Sequence, residues 1–142
     1  MTKKLDQESH KAFLPTDADV ARFIAAFRRN SVEAKKNGTI TKVLIYRKDC
    51  HFCHDQFRAI AKMGFRVKDG QLVGSAANMS RIADRIYIVE RNSKEALNFE
   101  KKTKKLEAVP AWFDFDPSKK PPIIFLQYGA VGPEGIKSLT RG

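Results

Sequence analysis

Val43-Leu44-Ile45-Tyr46 is an unbroken apolar run, and it stops just short of Cys50-His51-Phe52-Cys53, which holds the only two cysteines of the chain. Residues 40–47 read as a strand, and an apolar run with no polar alternation implies burial on both faces. A strand covered on both sides needs a layer above and a layer below it. The segment after it has helical spacing, from about Cys50 to Met63, with Gly64 as the stop. A central strand that feeds a helix opening on two thiols is the strongest constraint on the fold.

The remainder of the chain alternates in the same way. Residues 1–15 read as a flexible N-terminal arm ending at Pro15, and residues 16–142 as one domain. Thr16 suits an N-cap, with Asp17 and Asp19 in the first turn, where the helix dipole favours acids. Val20, Phe23, Ile24 and Phe27 then share one helical face, and Asn37-Gly38 suits the far end. Residues 66–85 read as an insertion, with a short hairpin around Asp69-Gly70 followed by a helical turn or two over Ser75 to Asp84. Ile86 to Val89 is a strand. Asn92 with Glu95 resembles a capping box, and Ala96, Phe99, Thr103 and Leu106 are expected on one face of the next helix. Trp112, Phe113 and Phe115 mark a third strand after Pro110, and Ile123 to Leu126 a fourth. Gly129 to Gly132 connects to a last helix with Pro133 at its first position.

Strands alternating with helices argue for an α/β sheet with parallel units. The short turn between the last two strands makes that pair antiparallel. The expected architecture is a mixed four-stranded sheet flanked by helices on both faces. An added N-terminal helix covers residues 16–38, and the insertion follows the cysteine-bearing helix.

Composition narrows the function classes. The apolar share of 42% suits a globular core. No apolar run approaches the roughly 20 residues of a membrane span. Met1 to His10 is polar and lacks a signal-peptide core, so the expected setting is cytoplasmic, with thiols kept reduced. A trimmed leader would change that expectation to periplasmic or secreted. The net charge of +11 favours an acidic partner. Its clusters, Arg28-Arg29, Lys35-Lys36, Lys101-Lys102 with Lys104-Lys105, and Lys119-Lys120, are short and lack the interleaved aromatics of a base-stacking platform. They are expected to be solvated surface.

Cys50 and Cys53 admit three chemistries. The first is disulfide exchange. A thiolate at the helix start faces unpaired backbone N–H groups and the positive end of the dipole. Lys48 and a protonated His51 would favour that thiolate further, and Asp49 would oppose them. Cys53 shares a face with Phe57, Ile60 and Ala61, which should pack on the sheet. Cys50 is therefore the expected nucleophile and Cys53 the shielded resolving thiol. The second chemistry is haem attachment, since Cys50-x-x-Cys53-His54 has that formal pattern. It normally accompanies export, and a strand leading straight into the motif is unusual for it. The third is zinc held by Cys50, Cys53 and His54. A structural site takes four ligands, and His10 and His51 are distant or badly placed for the fourth. His54 is expected at the surface.

A Cys-x-x-Cys at a strand-to-helix junction resembles the thioredoxin-like superfamily. Ala108-Val109-Pro110-Ala111-Trp112-Phe113 sits where that superfamily carries a cis-proline opposite the dithiol. Tyr128-Gly129-Ala130-Val131-Gly132 is similar to the thioredoxin ending. The likeness covers about residues 40–140. It implies a thiol–disulfide oxidoreductase whose redox-active group is the Cys50–Cys53 disulfide, with no further cofactor and no metal. The substrate would be a disulfide-containing protein or small thiol, served by a separate reductase or oxidant. Val109, beside a cis Pro110, would pair with an extended substrate, and Phe52 would help to bind it. Leu44 stands where thioredoxin has a buried aspartate, and a glutaredoxin-type paired glycine is not evident near Gly129, so the likeness stays at superfamily level. The alternative is a non-catalytic thioredoxin-like binding module for an acidic partner.

Overall fold

Thr16 and Asp19 set the start of the first helix by capping each other. The Thr16 hydroxyl accepts from the Asp19 N–H, and the Asp19 carboxylate accepts from the Thr16 N–H, so two otherwise orphaned donors are satisfied. This is seen in a computed structural model that describes residues 14–74 and 82–140. Helix α1 (Asp17–Lys36) buries Val20, Phe23, Ile24 and Phe27, the expected face, and Ser31 and Ala34 extend it. It ends at Asn37, followed by Gly38 at φ +73°. Leu14, just before it, is buried, and its carbonyl accepts from Arg58 Nε at 3.0 Å. The chain is thus already anchored one residue before Pro15.

Strand β1 (Lys42–Tyr46) is buried from Val43 to Tyr46. Leu44 and Tyr46 join one apolar cluster, Val43 and Ile45 the other. The two-sided burial inferred from the unbroken run is what the fold has. Helix α2 (His51–Lys62) follows, and Met63 with Gly64 at φ +111° closes it. A hairpin comes next, β2 (Phe65–Lys68) and β3 (Gln71–Gly74), as a separate two-stranded sheet. Asp69 (φ +52°) and Gly70 (φ +75°) form its turn, the positive-φ pair that suits the twist of a hairpin. Arg29 on α1 donates to the Gly70 carbonyl. The helical turn expected after the hairpin falls mostly on residues 75–81, outside the described residues.

Strand β4 (Ile86–Glu90) leads to helix α3 (Lys94–Lys102). Two expectations need correction here. The N-cap is Ser93, whose hydroxyl accepts from the Ala96 N–H at 3.2 Å, and not Asn92. Glu95 is drawn away from any capping box, because its carboxylate accepts from the Tyr87 hydroxyl at 2.9 Å and pairs with Lys35 at 3.1 Å. The helix also ends before Leu106. Thr103 leaves helical geometry, and its hydroxyl bonds the Phe99 carbonyl at 2.7 Å. Leu106 reaches the core from the segment after the helix.

Strands β5 (Ala111–Phe115) and β6 (Ile123–Tyr128) precede helix α4 (Pro133–Thr140). The sheet order is β4-β1-β5-β6. β1 runs parallel to β4 and antiparallel to β5, and β5 runs antiparallel to β6 with a register shift between Trp112 and Phe113. The mixed four-stranded α/β sheet is therefore as expected. Phe23 and Phe27 of α1, Phe57 and Ile60 of α2, and Ile136 of α4 cover one face, against Leu44, Ile88 and Trp112. Ala96 and Phe99 of α3 cover the other, against Val43, Val89 and Phe113. Each fully buried Phe or Ile contributes about 1.5–3 kcal/mol of transfer free energy. Among the described residues no helix is long and apolar enough to cross a membrane.

Candidate functional site

β1 ends at Tyr46, and Arg47, Lys48 and Asp49 carry the chain to α2. Cys50 is the N-cap of that helix, with extended backbone (φ −97°, ψ 119°). Its Sγ accepts from the Cys53 N–H at 3.2 Å, the place a Ser or Asp oxygen usually takes. The sulfur also lies 3.7 Å from the Val109 carbonyl, which accepts from its S–H. Cys50 is half-buried, Cys53 is 0% exposed, and both are free thiols.

The two sulfurs thus differ by position. Cys53 sits one helical turn inward, on the same face as Phe57, Ile60 and Ala61, all fully buried. Burial pushes the Cys53 thiol up from 9.0 to about 12, and its bond with Cys50 adds to the rise. The Arg47 N–H, donating to Cys53 Sγ at 3.4 Å, pulls the other way. At neutral pH Cys53 is a protonated thiol.

Arg47 is a cation near this pair that the sequence reading did not name beside Lys48 and His51. The Arg47 guanidinium is held by Asp49 at 3.2 Å and feels both Cys50 and Cys53. The available signal was an Arg–x–Asp pair immediately before the first cysteine. His51 is turned outward, 3.5 Å from Asp55 and edge-on to the Phe52 ring. Lys48 enters through its carbonyl, which accepts from His54 Nε2 at 2.5 Å. Among the described residues no hydrogen bond from Lys48 or His51 reaches either sulfur. Phe52 is 63% exposed beside Cys50, an unusual placement for a large apolar ring.

His54 departs from its expected surface position. Its side chain is only 17% exposed, and Nδ1 lies 3.5 Å from Asp17 on α1. The ring is used between two backbone elements and is not turned to the sulfurs. Among the described residues no three His, Cys, Asp or Glu side chains cluster as a metal site.

Val109 and Pro110 lead into β5, the strand paired with β1, with Ala111 opposite Ile45. The Val109–Pro110 bond is cis, as the resemblance implied. The Pro110 carbonyl accepts from the Gly129 N–H at 2.8 Å, which ties this loop to the end of β6.

Behind the thiols lies a polar network that sequence reasoning missed. Gln56 is fully buried three residues after Cys53. Its Oε1 accepts from Trp112 Nε1 at 3.0 Å and from the Val131 N–H at 2.6 Å, and its Nε2 donates to the Val131 carbonyl at 2.9 Å. The hint in the sequence was a lone polar residue on an apolar helical face, together with a tryptophan needing an acceptor.

Comparison with protein-family models, curated proteins and solved structures finds no match to this chain. What the site can do therefore rests on its own geometry. That geometry is an accessible sulfur at a helix start, a shielded sulfur one turn on, and a backbone carbonyl facing the first.

Proposed function

We propose that this chain is a thiol–disulfide oxidoreductase of the thioredoxin-like kind, with Cys50 as nucleophile and Cys53 as resolving thiol. The observation that carries the reading is the asymmetry of the pair. One sulfur is accessible at a helix N-terminus, and the other is buried with its thiol raised to about 12. The element order β1-α2-β4-α3-β5-β6-α4, with the β2-β3 hairpin inserted after α2, and the Val109 carbonyl beside the Cys50 sulfur support the superfamily resemblance.

The Cys50 thiolate attacks one sulfur of a substrate disulfide. A Cys50–substrate S–S bond forms, and the departing sulfur leaves as a thiolate that takes up a proton. Cys53 then loses its proton and attacks the Cys50 sulfur. The Cys50–Cys53 disulfide forms, the second substrate thiol is released, and two electrons have passed to the substrate. The reverse sequence oxidises a dithiol substrate. The redox equivalents reside in the cysteine pair itself. The Val109 backbone lies against the attacking sulfur, and with the exposed Phe52 ring it would receive the substrate segment.

Insulin or small-disulfide reduction tests the proposal. Wild type should turn over with a dithiol supply, Cys50→Ser should be inactive, and Cys53→Ser should accumulate a mixed disulfide. Wild-type turnover no faster than Cys50→Ser would remove the enzyme reading.

A further inference from the structure

A cavity of about 470 Å³ lies between α1, the end of β1 and the first turn of α2. That is the volume of a small-ligand site. Ala21, Ile24 and Ala25 give it an apolar wall along α1, and Tyr46 lines it from β1. Two cations reach it from different elements, Arg28 from α1 and Lys48 from the β1–α2 connection.

The charge in this cavity is unbalanced. Its carboxylate, Asp17, is already engaged by Arg58 at 3.4 Å and by His54 at 3.5 Å. His54 is committed at its other nitrogen to the Lys48 carbonyl. Among the described residues neither Arg28 nor Lys48 pairs with a carboxylate, whereas Arg22, Lys35, Lys42, Arg47 and Arg91 each do. Arg28 bonds the neutral Tyr46 hydroxyl, which also feels the Glu90 carboxylate, and among the described residues Arg28 forms no ion pair with Glu90.

We infer that this cavity binds a small organic anion, its apolar body against Ala21, Ile24 and Ala25 and its carboxylate between Arg28 and Lys48. A bare inorganic anion would use the cations and leave the apolar wall in water. A neutral apolar molecule would leave both cations unpaired. Only a ligand with both parts satisfies the whole lining, and the guanidinium of Arg28 suits a planar carboxylate. The inference goes beyond thiol exchange and does not depend on it. The Cys50 sulfur faces Val109, and neither cysteine lines the cavity.

The test is an amide-detected NMR titration of the ¹⁵N-labelled full chain with benzoate, benzamide and inorganic phosphate. Benzoate should give saturable shifts at residues 21–28, 48 and 54, with low-millimolar affinity, about what so small a ligand can achieve. Benzamide should bind about tenfold more weakly or worse, since it lacks the charge-assisted bonds. Arg28→Gln and Lys48→Gln should each weaken benzoate by about fivefold or more. Both side chains are exposed, so the variants should keep the wild-type spectrum elsewhere. Equal binding of benzoate and benzamide, benzoate shifts that map to other residues, or phosphate saturating the same amides as tightly would each overturn the inference. No thiol step enters this measurement, so its outcome is separate from that of the reduction assay.

Discussion

Trp112 donates its indole N–H to Gln56 Oε1 over 3.0 Å, with both side chains 0% exposed. The bond joins the middle of β5 to the helix that carries the thiols. Through Val131, the same amide also holds the loop before α4. One buried side chain thus connects the sheet, the cysteine helix and the chain's last helix. In a low-dielectric core such a network is stabilising only while every member is paired.

Gln56→Leu should therefore be costly although leucine is apolar and of similar length. It leaves the Trp112 indole N–H and both Val131 backbone groups without partners, at about 1–3 kcal/mol each when they stay dry. A loss of about 3 kcal/mol or more is expected in urea unfolding followed by the emission of Trp112, the only tryptophan. A loss under about 1 kcal/mol would show that the network contributes little.

Alkylation should separate the two thiols. Cys53 is buried and its thiol is raised to about 12, so little thiolate is present near neutral pH. Iodoacetamide on the reduced native protein should label Cys50 at least about a hundredfold faster than Cys53, by peptide mass spectrometry. The difference should vanish in denaturant. Equal native rates would contradict the burial of Cys53.

Stability should fall in the alkaline range. The folded Cys53 thiol titrates near about 12 against an ordinary 9.0. The folded state therefore holds this proton more tightly than the unfolded chain does. The resulting stabilisation is fully present below pH 9 and is lost as pH rises from about 9 to 12. At 1.36 kcal/mol per pH unit, the window corresponds to at most about 4 kcal/mol. Cys53→Ala should flatten the decline between pH 9 and 10, measured by chemical denaturation, while Tyr46 and Tyr87, also raised by burial, keep a residual slope above that. An unchanged slope in Cys53→Ala would rule this cause out.

The start of α3 offers a sharper contrast. Ser93→Ala should cost about 1 kcal/mol, since it removes the hydroxyl that accepts from the Ala96 N–H. Asn92→Ala should stay within about 0.5 kcal/mol, as an exposed substitution that removes no cap. The reverse order in thermal unfolding would restore Asn92 as the cap.

Local spacing made much of this protein legible. The unbroken run Val43 to Tyr46 implied a strand covered on both faces, and both apolar clusters draw on it. Asp69-Gly70 implied a tight hairpin, and both residues take positive φ. The placement of Cys53 inward with Phe57, Ile60 and Ala61 followed from helical periodicity alone. The misreadings were of another kind. Asn92 and Ser93 are adjacent and both suit an N-cap. The choice was settled by Glu95, which is drawn to Tyr87 and Lys35. His54 looked like a surface residue until α1 brought Asp17 to its ring.

By itself, then, the sequence determined the kind and order of the elements on which the site stands and which thiol turns inward, because a period of 3.6 or 2 is set by neighbours along the chain. Only the tertiary structure decided what meets the thiols. Val109 reaches Cys50 across 59 residues, and Val131 reaches Gln56 across 75. Those meetings require the order β4-β1-β5-β6, which seats β5 beside β1, and the packing of α2 and α4 on one face. Side-chain pairings over such separations depend on the whole sheet closing its core, and no local pattern records them.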